Sequence, residues 1–238
     1  MDTSHQPNDG QSAMTHTRRR PLAGPAAACL LTGTIMYVAA TAFHGNPPIT
    51  DAAAMLDLVA GRPFWPAEHY LNIGAVILWM IGFTLMGTSL PDDEARGIRK
   101  SAHAVIIAGT AVFSVYFALH ALGLESLSSQ WVSADAAGRA DAELAATAVI
   151  AVLGALAFVA QAMLGISILL YALVLVRTSL YPSWLGWTGA VAGSGWFVGA
   201  MAMNFAIIVP FTLVTWVWIV LLSLTLVQRR TAANSRPR

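Results

Sequence analysis

Long stretches free of Asp, Glu, Lys and Arg alternate with short polar segments along the chain, covering residues 21–43, 70–90, 101–124, 144–176 and 178–228. A hydrocarbon core of about 30 Å is crossed by roughly 20 residues at a helical rise of about 1.5 Å, so each stretch predicts a transmembrane helix. The last stretch is too long for one, since a single helix of that length would reach about 77 Å. It must fold back and cross twice, which makes six expected crossings. Asn204 and Pro210 mark the fold-back between residues 202 and 210, the first as a turn residue and the second as the opener of the next helix. The stretch 144–176 also exceeds one span and is expected to project beyond the bilayer at its Glu143 end.

The resulting expectation is an all-α, polytopic membrane helix bundle. A polar tail over residues 1–20 is too poor in apolar side chains to fold alone, and residues 231–238 read likewise. The transmembrane domain then covers residues 21–228, followed by a C-terminal tail over 229–238. Two connections of real length, 44–69 and 125–143, read as acidic loops on one side of the bilayer. No repeat of 20–50 residues is evident.

Composition agrees: 57% of the chain is hydrophobic and 11% charged, against roughly 25% charged in soluble domains. A soluble fold is excluded on that ground. The net charge of +1 provides no field for nucleic acid, so no nucleic-acid partner is expected. Placement of charge is more informative. Eleven of the 13 Lys and Arg residues lie on one side of the expected topology, leaving Arg62 and Arg139 on the other. By the positive-inside rule both termini are cytoplasmic. Residues 17–42 also imitate a signal peptide with an Ala40-Thr41-Ala42 end, but the apolar run is long for a signal core and further spans follow, which favours an uncleaved first helix.

Catalytic signatures of soluble enzymes are missing, and the single Cys29 can build no disulfide or CxxC site. The candidate chemistry is a set of histidines. His44 ends the first helix, His69 opens the second and His120 lies near the end of the third. Counting from the middle of the 91–100 connection, His69 is about 26 residues back and His120 about 25 residues on, so the two reach similar depth. Rotation about each helix axis is not fixed by the sequence. Glu68, Asp57, Glu125, Asp141 and Glu143 fall at the same end. One reading is a polar pocket at the extracytoplasmic mouth, with Glu68, His69 and His120 as catalytic acid, base or ligands and His44, His69 and His120 as metal ligands. Another is that these imidazoles hydrogen-bond water at the interface. A haem with His69 and His120 as axial ligands is a third. His103, near the opposite end, reads as interfacial, and His5 and His16 belong to the N-terminal tail.

No Asp, Glu, Lys or Arg lies inside any expected span, which argues against a proton-coupled transporter. Gln161 and Asn204 read as interhelical hydrogen-bonding amides. Gly189 with Gly193, and Gly195 with Gly199, form a close-packing face that serves either the fold internally, the favoured reading, or a dimer. Trp65, Trp131, Trp184 and Trp187 read as an interfacial belt, and Trp79, Trp196, Trp216 and Trp218 as deeper packing.

Two segments, Phe64-Trp65-Pro66-Ala67-Glu68-His69 and Tyr181-Pro182-Ser183-Trp184-Leu185-Gly186-Trp187, resemble a family of bacterial integral membrane proteins catalogued as domain of unknown function 4386. The resemblance covers about residues 22–227. It implies a helical membrane fold and carries no catalytic residue. Two functions follow from the sequence as expectations. The first is a multi-pass protein of the cell membrane that contacts the lipid bilayer and binds a small lipophilic ligand or a partner. The alternative is a membrane-embedded enzyme acting on a hydrophobic substrate through the His/Glu site.

Overall fold

The computed structural model describes residues 22–90 and 95–234, so the N-terminal tail and residues 235–238 lie outside the described part. Among the described residues the chain is all α-helical: α1 (Ala23–His44), α2 (Ala52–Ala60), α3 (Trp65–Ser89), α4 (Arg96–Ala118), α5 (Leu124–Ser133), α6 (Ala136–Arg177), α7 (Ser183–Met201) and α8 (Phe205–Asn234). A π-helical turn, Leu119–Gly123, joins α4 to α5 without a break. Among the described residues, five helices are long and apolar enough to cross a membrane: α1, α3, the α4–α5 rod, α6 and α8. The shorter α7, with 19 residues, carries no charged side chain and is diluted by glycine.

The expected acidic loops are corrected by the structure, because most of their length is helical. Asp51 caps α2 by accepting a hydrogen bond from the Ala54 N–H at 2.9 Å, and Asp135 caps α6 through the Gly138 N–H at 2.9 Å. Each carboxylate satisfies a donor that the first helical turn leaves free and meets the positive end of the helix dipole. Two acids read as loop charge are therefore helix starts. The projection expected at Glu143 is the first part of α6, which begins at Ala136 and has 42 residues. It packs with α2 and α5 around Leu56, Ala142 and Ala146. Ser128 Oγ donates to the Leu56 carbonyl at 2.8 Å, and Trp131 Nε1 donates to Asp57 Oδ1 at 2.7 Å. Together α2, α5 and the start of α6 form a small cap at one end of the bundle.

The fold-back lies at Ala202 to Asn204. The Asn204 N–H bonds to the Gly199 carbonyl and the Met203 N–H to the Ala200 carbonyl, both at 3.0 Å, with Met203 at φ 50°. This is a Schellman closure with Met203 in the left-handed position usually given to glycine. Asn204 then caps α8 by accepting from the Ala206 N–H at 2.9 Å, so its amide serves a helix end and not a neighbouring helix. Pro210 lies inside α8 and does not open it. The C-terminal tail is also shorter than expected, since α8 continues through Asn234.

The glycines of α7 are internal. A Cβ on Gly193 would stand 2.7 Å from the Gly165 carbonyl oxygen and closer still to the Leu169 backbone nitrogen, and one on Gly165 would stand 2.5 Å from the Phe197 nitrogen. Gly189 in the same way receives the Trp218 ring. Gln161 bridges α6 and α7 by accepting a hydrogen bond from Trp196 Nε1, and Trp79, Trp196 and Trp218 are buried. Trp184 and Trp187 are exposed as a belt requires, whereas Trp65 is 0% exposed. It belongs to the interior.

Candidate metal centre

Three structural elements bring the three outer histidines to one point. Gly45, at φ 68°, ends α1 immediately after His44, and Arg62 fixes that end by donating from one guanidinium nitrogen to the His44 carbonyl at 2.6 Å. A cation on the last carbonyls of a helix also meets the negative end of its dipole. His69 lies in the second turn of α3, which Pro66 helps to open at a position where its missing N–H costs nothing. His120 sits in the π turn, a local widening of the helix often found at functional sites.

One ring nitrogen of each of His44, His69 and His120 lies within 4.8 Å of the others. His69 Nδ1 is 2.7 Å from the Trp65 carbonyl oxygen. A carbonyl only accepts, so Nδ1 carries the proton and Nε2 of the neutral ring presents a lone pair. That lone pair faces His120 Nδ1 at 3.1 Å, which therefore donates to it. His44 stands edge-on to His69 with ring centroids 5.0 Å apart. His69 is fully buried, His120 nearly so, and His44 half-buried.

Trp65 holds the group together. Its carbonyl accepts the His69 proton, its Nε1 donates to the His120 carbonyl at 2.7 Å, and its ring lies 5.1, 4.4 and 6.0 Å from the rings of His44, His69 and His120. Met55, Val59, Leu124 and Leu153 pack around it, which ties the centre to the cap. Replacing Trp65 by Phe keeps an aromatic ring and removes the donor to a buried carbonyl. The expected cost is about 1–3 kcal/mol, read as reduced thermal stability in detergent. An unchanged stability would show that the hydrogen bond contributes nothing.

Glu68 is not part of the group. Its neighbour His69 points about 100° away around the helix axis, and the metal-ligand geometry includes the three imidazoles without a carboxylate. Glu68 Oε2 is nevertheless buried and has no hydrogen-bond partner among the described residues. Asp57 is engaged by Trp131, Glu125 lies on a polar face of α5 with Ser126, Ser129 and Ser133, and Asp141 and Glu143 are exposed on α6. A haem between His69 and His120 is incompatible with their direct hydrogen bond, which leaves no room for a macrocycle. His103, half-buried, shares a hydrogen bond of 2.7 Å with the Tyr171 hydroxyl. It belongs to the opposite half of α4.

Two buried residues on the His69 face of α3 carry no signal in the linear pattern. Trp65 looks like a belt residue by position, and Asn72, on the buried face of α3 one turn beyond His69, looks like an isolated amide. The spacing Trp65, His69, Asn72 at four and three residues places all three on one helical face, which is the available clue. No family model, curated protein or solved structure matches this chain.

Proposed function

We propose that this chain is a membrane-embedded enzyme that holds one divalent transition-metal ion on His44, His69 and His120 at the extracytoplasmic mouth of a six-span bundle. The observation that supports it is the convergence of three imidazoles from separate segments within 4.8 Å. The His69 Nδ1 proton given to a backbone carbonyl is the outer contact that fixes the tautomer and orientation of a ligating histidine. A tetrahedral ion with bonds of about 2.0–2.1 Å keeps its nitrogens about 3.3 Å apart, close to the 3.1 Å between His69 and His120. Binding would move the His120 proton to its other ring nitrogen and draw the half-buried His44 ring inward.

Three protein ligands leave one position of a tetrahedral ion for water or substrate, the pattern of catalytic zinc sites. This favours the enzyme over passive binding of a lipophilic ligand. A hydrophobic substrate would reach the mouth from the lipid. The six-span topology in the cell membrane, with cytoplasmic termini, draws support from the Lys and Arg distribution and from exposed apolar side chains such as Ile35, Ile107, Val159, Val191 and Val217 on α1, α4, α6, α7 and α8. Membership in the family of unknown function 4386 is a companion proposal.

Elemental analysis of the detergent-purified chain tests the metal. One zinc, cobalt or similar ion per chain is expected, with cobalt giving the visible bands of a tetrahedral site. A chain that remains metal-free after incubation with zinc and cobalt overturns the proposal.

A further inference from the structure

We infer that the open coordination position of this centre faces the bundle interior and holds an exchangeable water that donates a hydrogen bond to Asn72 Oδ1. The inference rests on the metal reading above. Asn72 is 3% exposed, and its Oδ1 is buried with no hydrogen-bond partner among the described residues. Buried amide oxygens are nearly always paired, so this acceptor calls for a donor.

Its place in the fold points to where that donor lies. Helical side chains lean toward the helix N-terminus and cover the preceding turn. His69 does so, reaching back to the carbonyl of Trp65. Asn72 lies on the same face three residues on, and the same lean would bring its buried amide toward the His69 ring. Aromatic rings occupy other sides: Trp65 lies 4.4 and 6.0 Å from the His69 and His120 rings, Tyr116 lies 4.7 Å from the His120 ring, and Phe117 lies 6.2 Å from the His69 ring.

The hydrogen-bond balance is complementary. Water bound to a metal ion through its oxygen donates protons and needs acceptors. Imidazoles that spend their lone pairs on the metal offer none. The orphaned Asn72 oxygen supplies what such a water lacks, and the water supplies what Asn72 lacks. The ligand class is thus a water that small anions can displace.

The test uses the full-length chain loaded with cobalt(II) in detergent, titrated with azide and followed by visible absorption. Azide is expected to displace the water and to change the cobalt bands saturably in the wild type. In Asn72→Leu the cobalt stoichiometry should persist while azide binds about 2–10-fold more tightly, since the competing water has lost one ordinary hydrogen bond. Asn72→Ala, a smaller change, should shift the affinity in the same direction and serves if the leucine variant does not fold. Cobalt bands that ignore azide would mean a closed centre and overturn the inference alone. Equal azide affinity in wild type and both variants would remove Asn72 from the site. Absence of cobalt bands in the wild type would instead remove the metal reading, and the inference with it.

Discussion

His69→Ala is expected to weaken metal binding by more than about 100-fold while leaving a folded bundle. Losing an outer-shell partner of a ligating histidine already costs about 10–100-fold, and this variant removes a ligand together with its carbonyl contact. His69 is the middle of the group, since it touches His120 through Nε2 and Trp65 through Nδ1. The two remaining imidazoles would keep only a weak bidentate site. A structural cost comes with it: His120 Nδ1 loses its partner, which for a buried group is about 1–3 kcal/mol, while the Trp65 carbonyl keeps its helical backbone bond. Stability alone would therefore not separate a ligand from a packing residue. Thermal unfolding with added zinc or cobalt does, because an ion that binds only the folded state raises stability with its concentration. Wild-type protein should show that rise and His69→Ala should not. A variant that still responds to metal like the wild type would refute the assignment.

Gly193→Val should be the most damaging change away from the centre. The Cβ it introduces meets backbone of α6 on two sides, with Gly165 oxygen at 2.7 Å and the Leu169 nitrogen nearer still. Backbone cannot turn aside as a side chain can, so α6 and α7 must separate. Overpacking a core typically costs about 1–3 kcal/mol, and with backbone as the obstacle about 3 kcal/mol or more is expected. Gly154, also on α6, has nothing within 4 Å of a built Cβ. Gly154→Ala should be neutral or stabilising by up to about 1 kcal/mol from helix propensity. Unfolding of both variants in the same detergent gives the comparison, and equal stabilities would mean that the contact between these helices can yield.

The long helices were legible because a membrane span leaves an unmistakable charge-free run. The cap was not. The segments that form α2, α5 and the start of α6 are short or interrupted by Asp57, Glu125, Arg139 and Asp141, and charge at a membrane surface looks the same in a helix as in a loop. Asp51 and Asp135 could have been read as helix starts, since a carboxylate ahead of an alanine-rich run is a capping signal. Pro210 misled because its missing donor suits a first turn, whereas here the preceding turn begins at Phe205 under the Asn204 cap.

The site was legible in one coordinate only. Equal depth of His69 and His120 could be counted from the 91–100 connection, but their facing depends on rotation, and the π turn that orients His120 has no residue signature. Trp65 was misassigned for a related reason. An indole at a span end is ordinary at a lipid interface, and nothing in the linear pattern shows that the cap would cover it. Glu68 was grouped with the histidines because it falls at the same end of the bundle, and shared depth does not place it among the converging ring nitrogens.

His69 and His120 stand 51 positions apart along the chain, and His44 belongs to a helix made before either of them. During synthesis the first hydrophobic segment must wait in the bilayer until the hairpin of α3 and α4 has inserted and closed against it. Only then do three imidazoles share one neighbourhood. If the proposed site takes its ion, capture would mark the moment at which the first half of the protein has been assembled in the correct register, and a chain mis-threaded in the membrane would be left unloaded.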